Sequence, residues 1–371
     1  MRVNSLKLVN YRNYQELELA FQPALNIFIG CNAQGKTNIL EAVYYAACGS
    51  SFRGNSDGEL IKWNADGGSI SLGFSRLEVA NQLDFAFRRD KRRTIVYNGQ
   101  KIPLRELIGA FNVVLFAPDD LLLIKGVPAG RRKFLDMEIS QASPAYYREL
   151  ITYNRLLQQR NSLLKEIREG KSKAGMLEFW NPQLAASAAK ITAKRLEAVQ
   201  KFNMLANLMQ RRISGNEENL SLSYQIKGME NGQLAENMEI WYNEMLHGLN
   251  NEEIYRGVTC VGPHRDDIIV SVNGINLKSF GSQGQQRTAV LSMKLSELEF
   301  IRSETGEYPV LLLDDVMSEL DAGRRQQLLN FIEREGIQTL ITATDEAYFQ
   351  QAPLKTYFQV EAGQVKVVNK V

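Results

Sequence analysis

The chain has 371 residues, of which 44% are hydrophobic and 23% charged, with a net charge of +2. These are ordinary globular values with room for about two domains, and they exclude a global field that would draw nucleic acid to the whole molecule. Cys31, Cys48 and Cys260 follow no metal or disulfide spacing; no stretch reaches the roughly 18 apolar residues of a membrane span, and no export-like segment opens the chain, so a reducing cytoplasm is the expectation.

From the N-terminus, residues 3–29 read as three strands: "VNSLKLVNYRNY", the alternating "ELELAF" and the apolar "ALNIFI". A glycine-rich loop follows and opens a helix. Gly30, Cys31, Asn32, Ala33, Gln34, Gly35, Lys36 and Thr37 fit G-x-x-x-x-G-K-[ST]. Backbone N–H groups of such a loop turn inward around phosphates, Lys36 reaches the β and γ phosphates, and the Thr37 hydroxyl suits Mg²⁺, so ATP with Mg²⁺ is the expected occupant. A glycine-rich turn without a ligand is the bland alternative.

Next, "ISLGFSRL" and "NQLDFAFRRDKRRTIVYNGQKIPL" alternate like antiparallel strands, with an Asn-Gly hairpin signal in "YNGQ". Arg88, Arg89, Arg92 and Arg93 concentrate positive charge on this hairpin. DNA phosphate contact and a solvated basic face are both open readings. Arg131 and Arg132, at the entrance to a helical region, are further candidates for DNA. There the period becomes helical: Leu150, Tyr153, Leu156, Leu157, Leu163, Leu164 and Ile167 mark one face. After "EGKSKAG", a second face runs Leu184, Ala188, Ile191, Leu196, Val199, Phe202, Leu205 and Met209. This predicts a helical hairpin, residues 131–257, with arms of about 20 residues and about 30 Å, inserted into an ATPase domain formed by 1–130 and 258–371. His247 and His264 lack partners at zinc spacing.

"IIVSVNGINLKSF" is another alternating hairpin and leads into "GSQGQQR". Ser282 and the N-terminus of the helix beginning near Gln285 offer donors suited to a phosphate, although a capping loop explains the same residues. Finally, "YPVLLLDDVMSELD" reads as a buried strand, Val310 to Leu313, that ends in two carboxylates. Asp314 is placed to face Mg²⁺ and Asp315 to act as general base toward water.

Taken together, these motifs resemble ABC-type ATPases. Ser282, Gly284, Gln285 and Arg287 are similar to their S-x-G-Q-x-R signature, and Ser318 to Asp321 to their D-loop. Within that superfamily "LVNYRNY", "PDDLLLIKGVPAGRRKFLD", "GPHRDD" and "LLLDDVMSELDAGRRQQLL" resemble the RecF family of bacterial DNA replication and repair proteins, essentially end to end. The resemblance implies an α/β P-loop ATPase head with a mixed central sheet, a flanking antiparallel sheet and an inserted α-helical hairpin. It also implies an ATP-dependent homodimer in which Ser282, Gly284 and Gln285 of one subunit close over ATP in the other. Such a dimer would have weak DNA-stimulated ATPase activity, bind duplex DNA at gaps, and act with RecR and RecO to load RecA, with no membrane partner. Arg12 is carried over as a residue near the nucleotide. Two departures from the broader ABC pattern are Asp315 where Glu is usual and Thr344 about where transporter ATPases have a histidine. The rival readings are a transporter ATPase subunit and an ATP-binding scaffold that does not hydrolyse.

Overall fold

The computed structural model describes every residue except 55, 231–234, 350–353 and 369–371. It divides into two compact units, Met1–Asp120 with Val290–Val371, and Leu121–Ala289.

The first unit is built on two sheets. One is antiparallel, in the order β2 (Tyr14–Ala20), β1 (Arg2–Tyr11), β4 (Gly67–Arg76), β5 (Val79–Arg88), β6 (Lys91–Tyr97) and β7 (Gln100–Lys101). Its strands alternate because one face is buried: Leu6 and Leu8 point inward, and between them Lys7 faces outward within 3.6 Å of Glu16 and Glu18 on β2. The predicted Asn-Gly turn is present between β6 and β7, with Asn98 and Gly99 both at positive φ. The other sheet is mixed, in the order β15 (Gln364–Val368), β14 (Lys355–Glu361), β3 (Leu25–Ile29), β13 (Thr339–Ala343), β12 (Val310–Asp314) and β8 (Val113–Phe116). All its pairs are parallel except the β14–β15 hairpin. Strands β3, β12 and β13 are buried at every position, which is why they read as continuous apolar runs. Their C-terminal ends carry the residues of the site.

The second unit is wider than the expected insertion 131–257. It takes in β9 (Leu220–Gln225), β10 (Asp267–Val272) and β11 (Ile275–Asn276), because β10 pairs along its whole length with β9. The hairpin arms are longer than expected: Pro144–Arg168 and Leu177–Ile213, 25 and 37 residues, or about 38 and 55 Å. The second helix starts before Pro182 rather than after it. A proline this near the start removes a single intrahelical hydrogen bond, and the packing of Leu177, Leu184 and Ala185 outweighs it. The seam between the arms is not purely apolar. Arg160 is fully buried, donating to Asn181 Oδ1 (2.9 Å) and Thr259 Oγ1 (2.8 Å) and pairing with Glu253 at 2.7 Å.

"GPHRDD" lies in this unit too, as part of a buried polar network. Thr259 carbonyl can only accept, so His264 Nε2 donates to it (3.1 Å) and Nδ1 accepts from the Tyr153 hydroxyl (2.6 Å). Burial lowers the His264 pKa to about 4, with Arg265, Arg132 and Arg195 adding in the same direction. The unfolded chain therefore takes up this proton below the ordinary histidine value while the folded chain refuses it. Stability is lost as pH falls from about 6.5 toward 4, by about 3 kcal/mol in total. Asp266, shifted upward by burial, acts in the opposite sense. The expected result in urea titrations at pH 7, 6 and 5 is thus a shallower loss in His264→Gln than in the wild-type chain. Identical pH slopes would show that this ring does not titrate as described.

Candidate nucleotide-binding site

Strand β3 runs directly into the loop Gly30–Gly35, and the helix Lys36–Cys48 starts from it. The loop is held from three sides. Asn13 Nδ2 donates to Gln34 carbonyl (3.0 Å), the Tyr14 hydroxyl to Gly35 carbonyl (3.0 Å), and Ala362 N–H to Gln34 Oε1 (2.6 Å). Two glycines are sterically required. A Cβ on Gly30 would stand 2.2 Å from Val360 carbonyl oxygen, and Gly35 has φ +111 with Asn13 and Tyr14 pressed against it. Ala33 is also left-handed, at φ 65, so the loop carries backbone strain where a phosphate cradle is expected. Cys31, Asn32 and Ala33 are exposed at the loop's crest.

Lys36 folds back on this loop. Its Nζ donates to the carbonyls of Gly30 (2.5 Å) and Cys31 (2.8 Å), and burial lowers its pKa despite the attraction of Asp315. The two acidic side chains whose charges act on Lys36, Asp315 and Asp314, bring metal-type oxygens to this end of the sheet. Asp314 Oδ1, at the end of β12, accepts from Thr37 Oγ1 (2.9 Å) and from Thr342 Oγ1 (2.8 Å). Thr342 Oγ1 in turn accepts from Asp315 N–H at 2.9 Å. Asp315 is left-handed (φ 53), and its buried Oδ1 has no hydrogen-bond partner. Desolvation raises its pKa, opposed by Lys36 and reinforced by Asp314 and Glu319. An orphaned carboxylate oxygen beside a hydroxyl–carboxylate pair fits a hard divalent cation with its waters, as Mg²⁺ takes oxygen ligands and keeps several waters. Thr37 and Asp314 are the residues with the right donor set to hold it.

Several contributors escaped the motif reading. Thr342 ties both acidic residues together from β13, a strand brought alongside β12 only by the sheet. Glu41, fully buried on the P-loop helix, was signalled by a charged residue in "NILEAVYY". It binds Arg12 through Nε (2.8 Å) and a second guanidinium nitrogen (2.6 Å), and also accepts from Ser51 Oγ. Arg12, whose chain neighbours Asn13 and Tyr14 hold the loop, is thereby anchored to the helix that follows it.

The signature loop belongs to the second unit. Ser282 N-caps the helix Gln283–Thr305: its Oγ accepts from Gln285 N–H (3.2 Å) and Gln285 Oε1 accepts from Ser282 N–H (3.1 Å), a reciprocal capping box. Gln285 Nε2 donates to Glu218 Oε1 (3.1 Å), whose other oxygen accepts from Gln210 at 2.7 Å. Ser282, Gln283 and Gly284 are exposed. The structure bears out the capping reading: the box ties up the Ser282 and Gln285 N–H groups at an exposed helix start.

The candidate DNA residues separate. Arg88, Arg89 and Arg92 are exposed around the β5–β6 turn. Arg93 is not: it shares the inward face of β6 with Ile95, donates to the Tyr45 hydroxyl and pairs with Asp57 at 3.0 Å. Arg131 is buried, in a two-pronged pair with Asp267 (2.7 and 2.8 Å), and Arg132 is half-buried, donating to Asp266 carbonyl (2.7 Å). The structure therefore corrects the expectation for Arg93, Arg131 and Arg132, because their charges serve the fold.

The family model of the RecF/RecN/SMC N terminal domain matches residues 2–368. A DNA replication and repair protein RecF of Alkaliphilus oremlandii is 44% identical over 352 residues, 93% of each chain. That of Halothermothrix orenii is 45% identical over 349 residues, 93% of this chain and 92% of its own. A solved structure of the recombination mediator protein RecF with ATP, in the RecFOR pathway, matches with a TM-score of 0.92 at 34% identity, over 99% of this chain and 97% of the other.

Proposed function

The chain belongs to the RecF family of DNA replication and repair proteins, and from that membership we propose that it is a DNA-binding switch gated by ATP. Two copies would enclose two ATP molecules, each held by the Gly30–Thr37 loop of one copy and met by Ser282, Gly284 and Gln285 of the other. The observation that carries this reading is the convergence of Thr37, Asp314 and the unpartnered Asp315 oxygen beside Lys36. The transporter alternative is set aside, because the relatives that match nearly the full length are replication and repair proteins.

In this mechanism Lys36 leaves the Gly30 and Cys31 carbonyls for the β and γ phosphates, and the loop's N–H groups take the remaining oxygens. Mg²⁺ bound at Thr37 and Asp314 would supply charge neutralisation on the phosphate oxygens. Asp315, made more basic by burial, accepts the proton of the attacking water as ATP becomes ADP and phosphate. Thr342 keeps the Asp314 carboxylate and the Asp315 backbone in place. ATP favours the closed dimer only through contacts that the open state lacks, and the exposed signature cap supplies them. Hydrolysis removes those contacts. Arg88, Arg89 and Arg92 would bind DNA phosphates without reading sequence. By family, the DNA is a gapped duplex, the partners are RecR and RecO, and the outcome is RecA loading in the cytoplasm.

Sedimentation velocity tests the arrangement. The wild-type chain is expected to dimerise with ATP and not without it. Ser282→Arg, which places a bulky cation in the exposed cap, should still bind ATP but remain monomeric. ATP-driven dimers of that variant would rule out the trans signature.

A further inference from the structure

We infer that Trp63, together with the basic β5–β6 turn, forms a nucleic-acid contact that stacks an unpaired base, so that this face selects DNA with a single-stranded segment over blunt duplex. The inference rests on the DNA-binding reading above and deepens it. Trp63 is 88% exposed, a large indole that the core does not use. Its position is nonetheless well defined. On one side, Ile61 bridges to Tyr11, Lys62 N–H donates to Asn10 carbonyl (2.8 Å) and Lys62 Nζ to Asn13 carbonyl (2.8 Å). Residues 62–65 then form a turn, closed by Ala65 N–H to Lys62 carbonyl (3.1 Å) with Asn64 left-handed at φ 65.

On the other side the basic hairpin grips the same turn. Arg89 Nε donates to Ala65 carbonyl (3.0 Å), a second guanidinium nitrogen to Lys62 carbonyl (3.4 Å), and Arg89 N–H to Asp66 carbonyl (3.3 Å). The guanidinium therefore spans the two residues on either side of the indole, and Arg88, Lys91 and Arg92 lie exposed around it. An exposed aromatic ring carried on a held turn and flanked by cations is the arrangement that binds single strands: the ring stacks a base while the cations follow its phosphates. Bases inside a duplex hide both faces against their neighbours, so the indole gains a stack only from an unpaired base. The cations, by contrast, serve either form of DNA. Charge complementarity thus names nucleic acid as the occupant, and the exposed ring names its single-stranded part.

The test uses the full chain with ATP and two labelled DNAs of equal duplex length, one blunt and one with a single-stranded tail, in anisotropy titrations at several salt concentrations. Trp63→Ala should weaken binding to the tailed DNA by about tenfold, the order expected for one lost base–aromatic stack, and change blunt-duplex binding by less than about twofold. Trp63→Phe should restore most of the difference. Arg88→Ser with Arg92→Ser should weaken both DNAs and flatten the salt dependence by about one unit of slope per cation removed. Equal losses on both DNAs, or no loss, for Trp63→Ala would overturn the stacking role while leaving DNA binding intact. A wild-type chain that binds neither DNA would overturn the DNA-binding reading itself, and the stacking role with it.

Discussion

Replacing Lys36 by alanine should lower ATP affinity by more than about 100-fold, the cost of losing a charge-assisted contact in a site that is then left with an unneutralised phosphate. The ammonium is buried, and its pKa is already lowered by desolvation, so a phosphate group would improve its surroundings rather than compete with a good ion pair. The same substitution leaves the Gly30 and Cys31 carbonyls without their donor. Some loss of stability is expected, which circular dichroism separates from loss of binding. Lys36→Arg should not rescue, because a planar guanidinium cannot occupy a pocket shaped for a single nitrogen between two carbonyls. Equilibrium titration with a labelled ATP analogue reads the effect. Unchanged affinity in a folded Lys36→Ala chain would remove the nucleotide assignment.

Asp315→Asn should lower phosphate release by about 100-fold or more, the range for a general base, while ATP binding stays within a few-fold. The two observables part because Asp315 does not touch the Thr37–Asp314 pair through its side chain; only its backbone N–H reaches Thr342. ATP-bound dimers should then accumulate in sedimentation. Its raised pKa adds a pH signature: the wild-type rate should climb as pH rises through a value above that of an ordinary aspartate, and the asparagine variant should lose this limb. A variant that hydrolyses at the wild-type rate would assign the base elsewhere. A wild-type chain that releases no phosphate, with or without DNA, would return the scaffold reading.

Much of this was written locally in the chain. Gly30 to Thr37 are contiguous between a strand and a helix, so the loop's chemistry and its context are read together. Asp314 stands at the end of an apolar run whose burial on both faces was implied by its composition. The Asn-Gly pairs at 98–99 and 273–274 marked turns through their own backbone preference, and both sit at positive φ. Charge was less legible. Arg93 could have been assigned from the period of two, since it shares a face with Ile95, whereas Arg131 could not, because its partner Asp267 is 136 residues away. A basic side chain looks the same in sequence whether it meets DNA or a buried carboxylate.

What the sequence alone determined, then, were the elements whose cause is local: the phosphate loop, the acidic strand, the hairpins and the capped signature helix. Only the tertiary structure decided which charges remain outside and which distant groups complete a site. It brought Thr342 to Asp314 and Asp315, Glu41 to Arg12, and the turn bearing Trp63 to Arg89. The physical reason is that burial and hydrogen-bond pairing depend on through-space neighbours, and periodicity along a chain reports which face of an element is covered but never by what.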